Sequence, residues 1–592
     1  VSAPVAAPTL GAAVADAAAA VTGATAATGA VVAPERLDRS AVAAFDAFLG
    51  DPREPGAVIS TERSIELDEA SAFPVAEIAA VDAWGLQRAY VPEEHGGCLG
   101  DVFVPMTMIR RLAGRDVTAA VAHGKTFLGA VGAWIAGGPI AAEMAGIVVT
   151  GDPVSWGLTE LGRGSDLSNT ATVAAVGADI RVTGVKWPIN NATRGRAMTV
   201  LARTCDEPGP RSLSLVLVDK QRVDAGALSY RPKVATHGIR GADISGLELR
   251  SALVERDHLV GAPGHGLEIV LKSLQLTRPL TTALSLGAAD HAIAIATGFA
   301  ANRRLFGRTL ADLPTARATL GAAIADSLLA EAVMYAGARG AHRTPEEMSL
   351  VSALVKFLVP DTVDLLFRDL TPFVGARSQL LGIAGVGAFQ KAARDNRVVG
   401  IFDGNSVVNL NMVINEFPSI ARAADPVDVD AIVADFGFGE ADGWVDTTRL
   451  RLVTKRGSRV LRSLPALVDL LGERPAAASA RRIALEFDRL VAEAGAAPRE
   501  SAPSAASFDL AERIALCFGA ACAIATDLAA PQRGSAPSEV RLAAILDRLA
   551  VRLGLRSSTD AASTAAALAE LALEEAARAR PVTMLDGWAD AA

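Results

Sequence analysis

One change of rhythm restricts the folds open to this chain more than any other feature: short β-branched segments lie between two long helical territories. Between Ser155 and about Val260, residues 172–176, 179–185, 198–203, 213–219 and 244–254 are brief, β-branched and often alternating. That is the pattern of strands with one buried face. Gly177-Ala178-Asp179 reads as the hairpin connection between the first two. Upstream, residues 75–84, 102–112 and 117–136 carry helical patterns, and the loop 91–100 is dense in turn formers. Downstream of Gly266 the patterns lengthen, with apolar residues at three- and four-residue spacing over 280–302, 316–339 and 345–370. Helices this long pack as antiparallel bundles.

A composition break at 421–435 precedes four or five Ala/Leu/Arg-rich helical segments, separated by loops such as 498–507 and 531–538. With 592 residues, the chain is long enough for about four units at roughly 150 residues each. The fold class expected is α+β, mostly α. Its parts are an Ala-rich disordered leader over 1–34, an N-terminal helical domain over 35–153 and a central antiparallel β domain over 154–264. A helical bundle over 265–422 and an appended C-terminal helical domain over 430–592 follow.

Charge narrows the partners. The formal net charge is −9, from 57 basic and 66 acidic side chains, so nothing global attracts nucleic acid or anionic membrane. A cytoplasmic protein is expected. The four cysteines are scattered without CxxC spacing, and all seven histidines precede residue 343. Neither a disulfide framework nor a metal site is expected. Residues 118–139 are apolar but contain His123 and Lys125, which favours a buried helix over a membrane span.

Four stretches carry the chemistry. The first is Trp156-Gly-Leu-Thr-Glu-Leu-Gly-Arg-Gly-Ser-Asp166, where close glycines let backbone N–H groups approach an anion or a ring edge. Gly184-Val-Lys-Trp-Pro-Ile-Asn-Asn-Ala192 comes one strand later. Leu276-Thr-Arg-Pro279, read as a helix start, is followed by Asn302-Arg-Arg-Leu-Phe-Gly307. The fourth is Ala393-Arg-Asp-Asn-Arg-Val-Val-Gly-Ile-Phe-Asp-Gly-Asn-Ser406. In this order, and within a helix–sheet–helix arrangement, they resemble the acyl-CoA dehydrogenase family from about residue 75 to 422. The extra C-terminal helices resemble its longer, very-long-chain type members.

The resemblance implies FAD as cofactor, an acyl thioester of CoA or of a carrier protein as substrate, and a homodimer or homotetramer. An electron-acceptor flavoprotein is a further implied partner. It places Trp156, Leu158, Thr159, Gly164 and Ser165 at the flavin, with Ser165 also near the thioester carrier. Pro188 and Asn190 fall where an aromatic ring and a hydroxyl face the isoalloxazine. Arg278 falls near the active-site loop and carrier. Arg303 and Phe306 would reach a flavin across a subunit boundary, and Gly375 belongs to the turn that receives it. Phe402, Asp403, Gly404 and Asn405 would form the catalytic turn, with Phe402 and Gly404 at the substrate, Asn405 at the cofactor and Asp403 as base.

Several positions depart from the family pattern. Leu313-Pro314 replaces a His-Gln pair, Gly375-Ala-Arg-Ser378 replaces a Gly-Gly-x-Gly turn, and aspartate replaces the usual glutamate base. The shorter arm loses about one C–C bond of reach, roughly 1.5 Å. A flavin oxidase or monooxygenase on the same scaffold, or a non-catalytic subunit, are the competing expectations. The run Arg449, Arg451, Lys455, Arg456, Arg459, Arg462 has no acid within it. It reads first as a solvated face, and alternatively as a membrane-surface or carrier-protein contact.

Overall fold

A computed structural model describes residues 37–588 except 208, 384, 423–426, 440–442, 500, 557–560, 578–581 and 587. The expected leader therefore lies outside the described residues. The N-terminal part holds α1 (Arg39–Leu49), α2 (Thr61–Glu69), α3 (Val75–Trp84), α4 (Phe103–Arg115), α5 (Val117–Ala136) and α6 (Pro139–Val148). Asp116 explains where α5 begins, because its carboxylate accepts from Ala119 N as an N-cap. Gly137, at φ +67°, ends that helix.

The central strands are β1 (Val154–Gly157), β2 (Val173–Val176), β3 (Ile180–Asn190), β4 (Ala197–Arg203), β5 (Leu213–Asp219), β6 (Leu228–Arg231), β7 (Ile244–Val254) and β8 (Leu259–Val260). They form one sheet in the order β6-β7-β3-β2-β4-β5-β8, with β1 paired to β4. The expected purely antiparallel sheet is corrected here. β1 runs parallel to β4, and β2 meets it in parallel at Val173. β2 turns back at Gly177 to pair antiparallel with β3.

The bundle consists of α7 (Gly266–Asn302), α8 (Pro314–Arg343) and α9 (Met348–Val374), followed by α10 (Val386–Asn396) and α11 (Ser406–Asn415). Pro279 does not start a helix. It lies inside α7, which continues through it, and Thr282 Oγ1 donates to the Pro279 carbonyl. Burial on most sides sustains the helix despite the missing N–H. α7 and α8 are long and apolar enough to cross a membrane, yet 61% and 94% of their most apolar windows are buried inside the fold. The apolar α5 is likewise almost wholly buried.

The C-terminal helices are α12 (Phe417–Ala421), α13 (Val429–Asp435), α14 (Arg459–Arg462), α15 (Leu464–Leu470), α16 (Ala477–Ala496), α17 (Ala505–Leu528), α18 (Glu539–Arg552) and α19 (Ala561–Ala577). α19 lies so close on α8 that a Cβ at Gly321 would overlap the Ala565 carbonyl. Arg548 bridges the fully buried Asp326 of α8 and Asp369 of α9. The basic run is no continuous helix, since α14 is four residues long. Arg449 pairs with Glu346 at 2.7 Å and Arg459 with Asp435, so acids from elsewhere engage part of the expected free face. Arg459 serves the fold, and its charge reversal would disturb packing before it tested any docking.

Candidate active site

The site is assembled around α5. Asn191, one residue past β3, donates from Nδ2 to the Ala122 carbonyl of α5 at 2.7 Å. Its own N–H donates to the Asp243 carbonyl at 2.7 Å. β1 packs on the same helix so tightly that a Cβ at Gly129 would lie 2.6 Å from the Val154 carbonyl oxygen. One turn beyond Ala122, Lys125 reaches the other side, where Nζ lies 3.4 Å from both carboxylate oxygens of Asp403. The end of β3 and the turn after α10 are thus fixed to neighbouring faces of one helical turn.

The Asp403 turn is constrained from three helices. Asp403 has φ +54° and Gly404 φ +94°, and the left-handed region is costly for aspartate. Arg278 of α7 is buried, donating from Nε to the Asp403 carbonyl at 3.2 Å and from Nη1 to Met412 Sδ at 2.9 Å. Burial pushes its guanidinium down to about 10. Lys356 of α9 donates to the carbonyls of Val399 and Gly404, and burial lowers its ammonium to about 7. Lys125 lies 3.6 Å from the Phe402 ring centroid, and burial outweighs Asp403 in lowering its ammonium as well. A Cβ at Gly404 would sit 3.0 Å from Arg278 Nη2. Gly404→Ala is therefore expected to cost about 1–3 kcal/mol in a urea unfolding series. An unchanged midpoint would show the turn to be unstrained.

Arg394 and Asp395, just upstream, act structurally. Arg394 pairs with Asp68 at 2.6 Å, and the wholly buried Asp395 pairs with Lys391 at 2.8 Å while accepting from Ile239 N. They anchor α10 and so the start of the turn.

A small apolar gap of about 10 Å³, room for little more than one water, lies between α4, α5 and α7, lined by Ile109, Val121, Gly124, Lys125, Leu128 and Leu284. A larger cavity of about 210 Å³ lies on the opposite face of α5, with Phe73, Asp82, Gln87, His123 and Arg194 in its wall. None of the expected site residues lines either space, and Lys125 alone links the smaller one to the Asp403 carboxylate.

Across the sheet, Thr159 is half-buried, Ser165 and Pro188 are exposed, and Trp156 is half-buried on β1. Leu158 is buried, and its carbonyl accepts from Lys186 Nζ at 3.2 Å. Gly164 is exposed, with space around its Cα save for Thr159 Cγ2 at 4.0 Å. Asn190 presents an amide whose oxygen and nitrogen are both shut from solvent and unpartnered among the described residues. A buried unmet amide of this kind fits a polar ring placed against it.

Four expectations acquire different settings. Asn405 serves α11, its side chain accepting from Val408 N at 2.9 Å as an N-cap. Asn405→Ala is expected to cost about 1 kcal/mol in denaturant unfolding, with Asn405→Ser largely neutral. Equal losses in both variants would point away from capping. Phe306 is 95% exposed, at the tip of a two-residue hairpin with φ +52° and Gly307 at +79°. Arg303 precedes that hairpin, half-buried. Gly375, at φ +71°, ends α9 and opens a short 3₁₀ turn in which Arg377 faces the Phe299 ring.

Comparison with known proteins bears on the same segments. Residues 155–252 match the model of the acyl-CoA dehydrogenase middle domain, and residues 264–417 that of the acyl-CoA dehydrogenase C-terminal domain. The chain belongs to the acyl-CoA dehydrogenase family. A probable acyl-CoA dehydrogenase of Mycobacterium leprae, fadE25, is 27% identical over 349 residues, covering 58% of this chain and 87% of the relative. The human mitochondrial short-chain specific acyl-CoA dehydrogenase is 25% identical over 353 residues, covering 58% and 82%. An acyl-CoA dehydrogenase structure from Bacillus anthracis, complexed with FAD, superposes with TM-score 0.65 at 18% identity. It covers 91% of this chain and 94% of its own, so the shared acyl-CoA dehydrogenase fold extends into the C-terminal helices.

Sequence reasoning overlooked two cations and a staple. Lys125 had registered only as an interruption of an apolar stretch, and Lys356 not at all. A lone lysine in an otherwise apolar helix is the signal that could have found either. Glu160 and Lys186 lay within the motifs without a role. They form a buried pair at 2.8 Å that pins the 158–172 segment to β3.

Proposed function

We propose that this protein is an FAD-dependent acyl-thioester dehydrogenase that oxidises a Cα–Cβ bond, with Asp403 as the α-proton acceptor. The observation that carries this reading is Asp403 itself, a carboxylate on a left-handed turn, joined through Lys125 to a small apolar gap. Family membership supports it.

The chain's residues fit the cofactor. Asn190 offers an unpartnered amide, and the Thr159 and Ser165 hydroxyls make no hydrogen bond to described residues. These three would hold the flavin ring, while Trp156, Gly164 and Pro188 flank it. Arg303 and Phe306, presented at the hairpin, would contact the flavin of a second subunit in a homo-oligomer. Bound FAD supplies the hydride acceptor.

The remaining work belongs to the protein. Asp403 removes the α-proton, and Arg278 and Lys356 fix the turn that carries it. Anaerobic mixing with a panel of acyl thioesters, while following flavin absorbance, tests the reading. Bleaching by at least one member is expected, and holoenzyme that bleaches with none of them is no dehydrogenase of acyl thioesters.

A further inference from the structure

Three cations converge on the Asp403 turn: Arg278 from α7, Lys356 from α9 and Lys125 from α5. They do different jobs. Arg278 and Lys356 direct N–H groups at main-chain carbonyls of the turn and its approach, so they fix backbone. Among the described residues, only Lys125 meets the Asp403 side chain in a hydrogen bond or ion pair. We propose that Lys125 is a positioning residue for Asp403, holding its carboxylate drawn towards α5 until substrate arrives; this rests on the dehydrogenase reading.

The geometry supports a holding role. Lys125 Nζ faces both oxygens equally at 3.4 Å, and the two side chains are only 15% and 9% exposed. That separation exceeds the roughly 2.7–2.9 Å of a tight charge-assisted hydrogen bond. The pair orients the carboxylate without locking it, and an entering thioester can displace the ammonium. The Phe402 ring beneath Nζ and the apolar lining around its stem leave the ammonium little other partner on this side of α5. The attraction also acts in the direction a short base needs. Aspartate falls about 1.5 Å short of glutamate, and the ammonium pulls it towards α5.

Removing the ammonium leaves a buried carboxylate without side-chain counter-charge in contact, which penalises its ionised form. The test compares wild-type holoenzyme with Lys125→Met and Lys125→Arg in anaerobic stopped flow across pH. Lys125→Met is expected to slow bleaching about 10–100-fold, the scale of a misplaced catalytic group. The acid limb of its pH profile should move to higher pH while thioester affinity changes little, and Lys125→Arg should recover much of the rate. An independent reading needs no turnover. Water-soluble carbodiimide should join Lys125 to Asp403 as an amide with loss of water, seen by peptide mass spectrometry in wild type and absent from Lys125→Met. No such cross-link in wild type, or a methionine variant with wild-type rate and pH profile, overturns the proposal. Wild type that cross-links yet bleaches with no thioester overturns the dehydrogenase reading, and the catalytic role of the pair with it.

Discussion

Asp403→Asn is expected to lower thioester-driven flavin bleaching by ~10²–10⁴-fold, the range that a positioned general base contributes. The substitution keeps shape and removes the proton-accepting charge. The main-chain carbonyls of Asp403 and Gly404, which receive Arg278 and Lys356, remain where they were. Folding and flavin content should therefore survive, and the loss should fall on the bleaching rate rather than on thioester binding. Asparagine that bleaches as fast as aspartate would mean that the proton leaves by another route. Asp403→Glu restores the missing methylene but meets Lys125 on the way. Its rate reports whether the turn has adjusted to the shorter arm.

The second large effect concerns stability. Glu160→Ala is expected to destabilise the protein by about 3–5 kcal/mol, because it strands a buried cation. Lys186 is fully buried, and Glu160 accepts from its ammonium, from the hydroxyls of Thr170 and Thr172, and from the N–H groups of Ala171 and Thr172. Burial alone would raise the Glu160 carboxyl; these donors outweigh it and bring it down to about 2. The same burial lowers Lys186 to about 8. Because the Glu160 value falls on folding, its contribution is complete above the ordinary 4.5 and is lost as pH drops from there towards 2. Denaturant unfolding at neutral pH measures the effect, and the double variant Glu160→Leu/Lys186→Met should recover much of it. A single variant within about 1 kcal/mol of wild type, the ordinary cost of a point change, would remove the staple from the account.

How far the sequence could be read depended on whether a signal was local. Helices α3 and α5 were legible to the residue, because Pro74 and Gly85 bracket the first while the Asp116 cap and Gly137 bracket the second. The long strands β5 and β7 were equally plain. β1, β6 and β8 were not, being two to four residues long and defined by partners distant in sequence. Pro279 misled for a related reason, since local chemistry marks a helix start and only surrounding packing carries the helix through it. At the site, the residue types of the Asp403 turn were visible in one motif. Its cationic environment was only partly so: the resemblance placed Arg278 near the loop, whereas Lys125 and Lys356 come from two further helices and converge on it only on folding. Asn405 shows the reverse case, where a residue assigned to chemistry has a sufficient local task in starting α11.

The bond from Arg548 to Asp326 bears on how the protein can be shortened. Asp326 has no exposure to solvent, and its counter-charge comes from α18, more than two hundred residues along the chain. Cutting after the bundle, to the length shared with the shorter relatives, would leave that carboxylate bare on an apolar helix and strip α8 of the surface that Gly321 offers to α19. The last third of the polypeptide is a wall of the catalytic half rather than a passenger, and minimal versions of the enzyme will have to replace it.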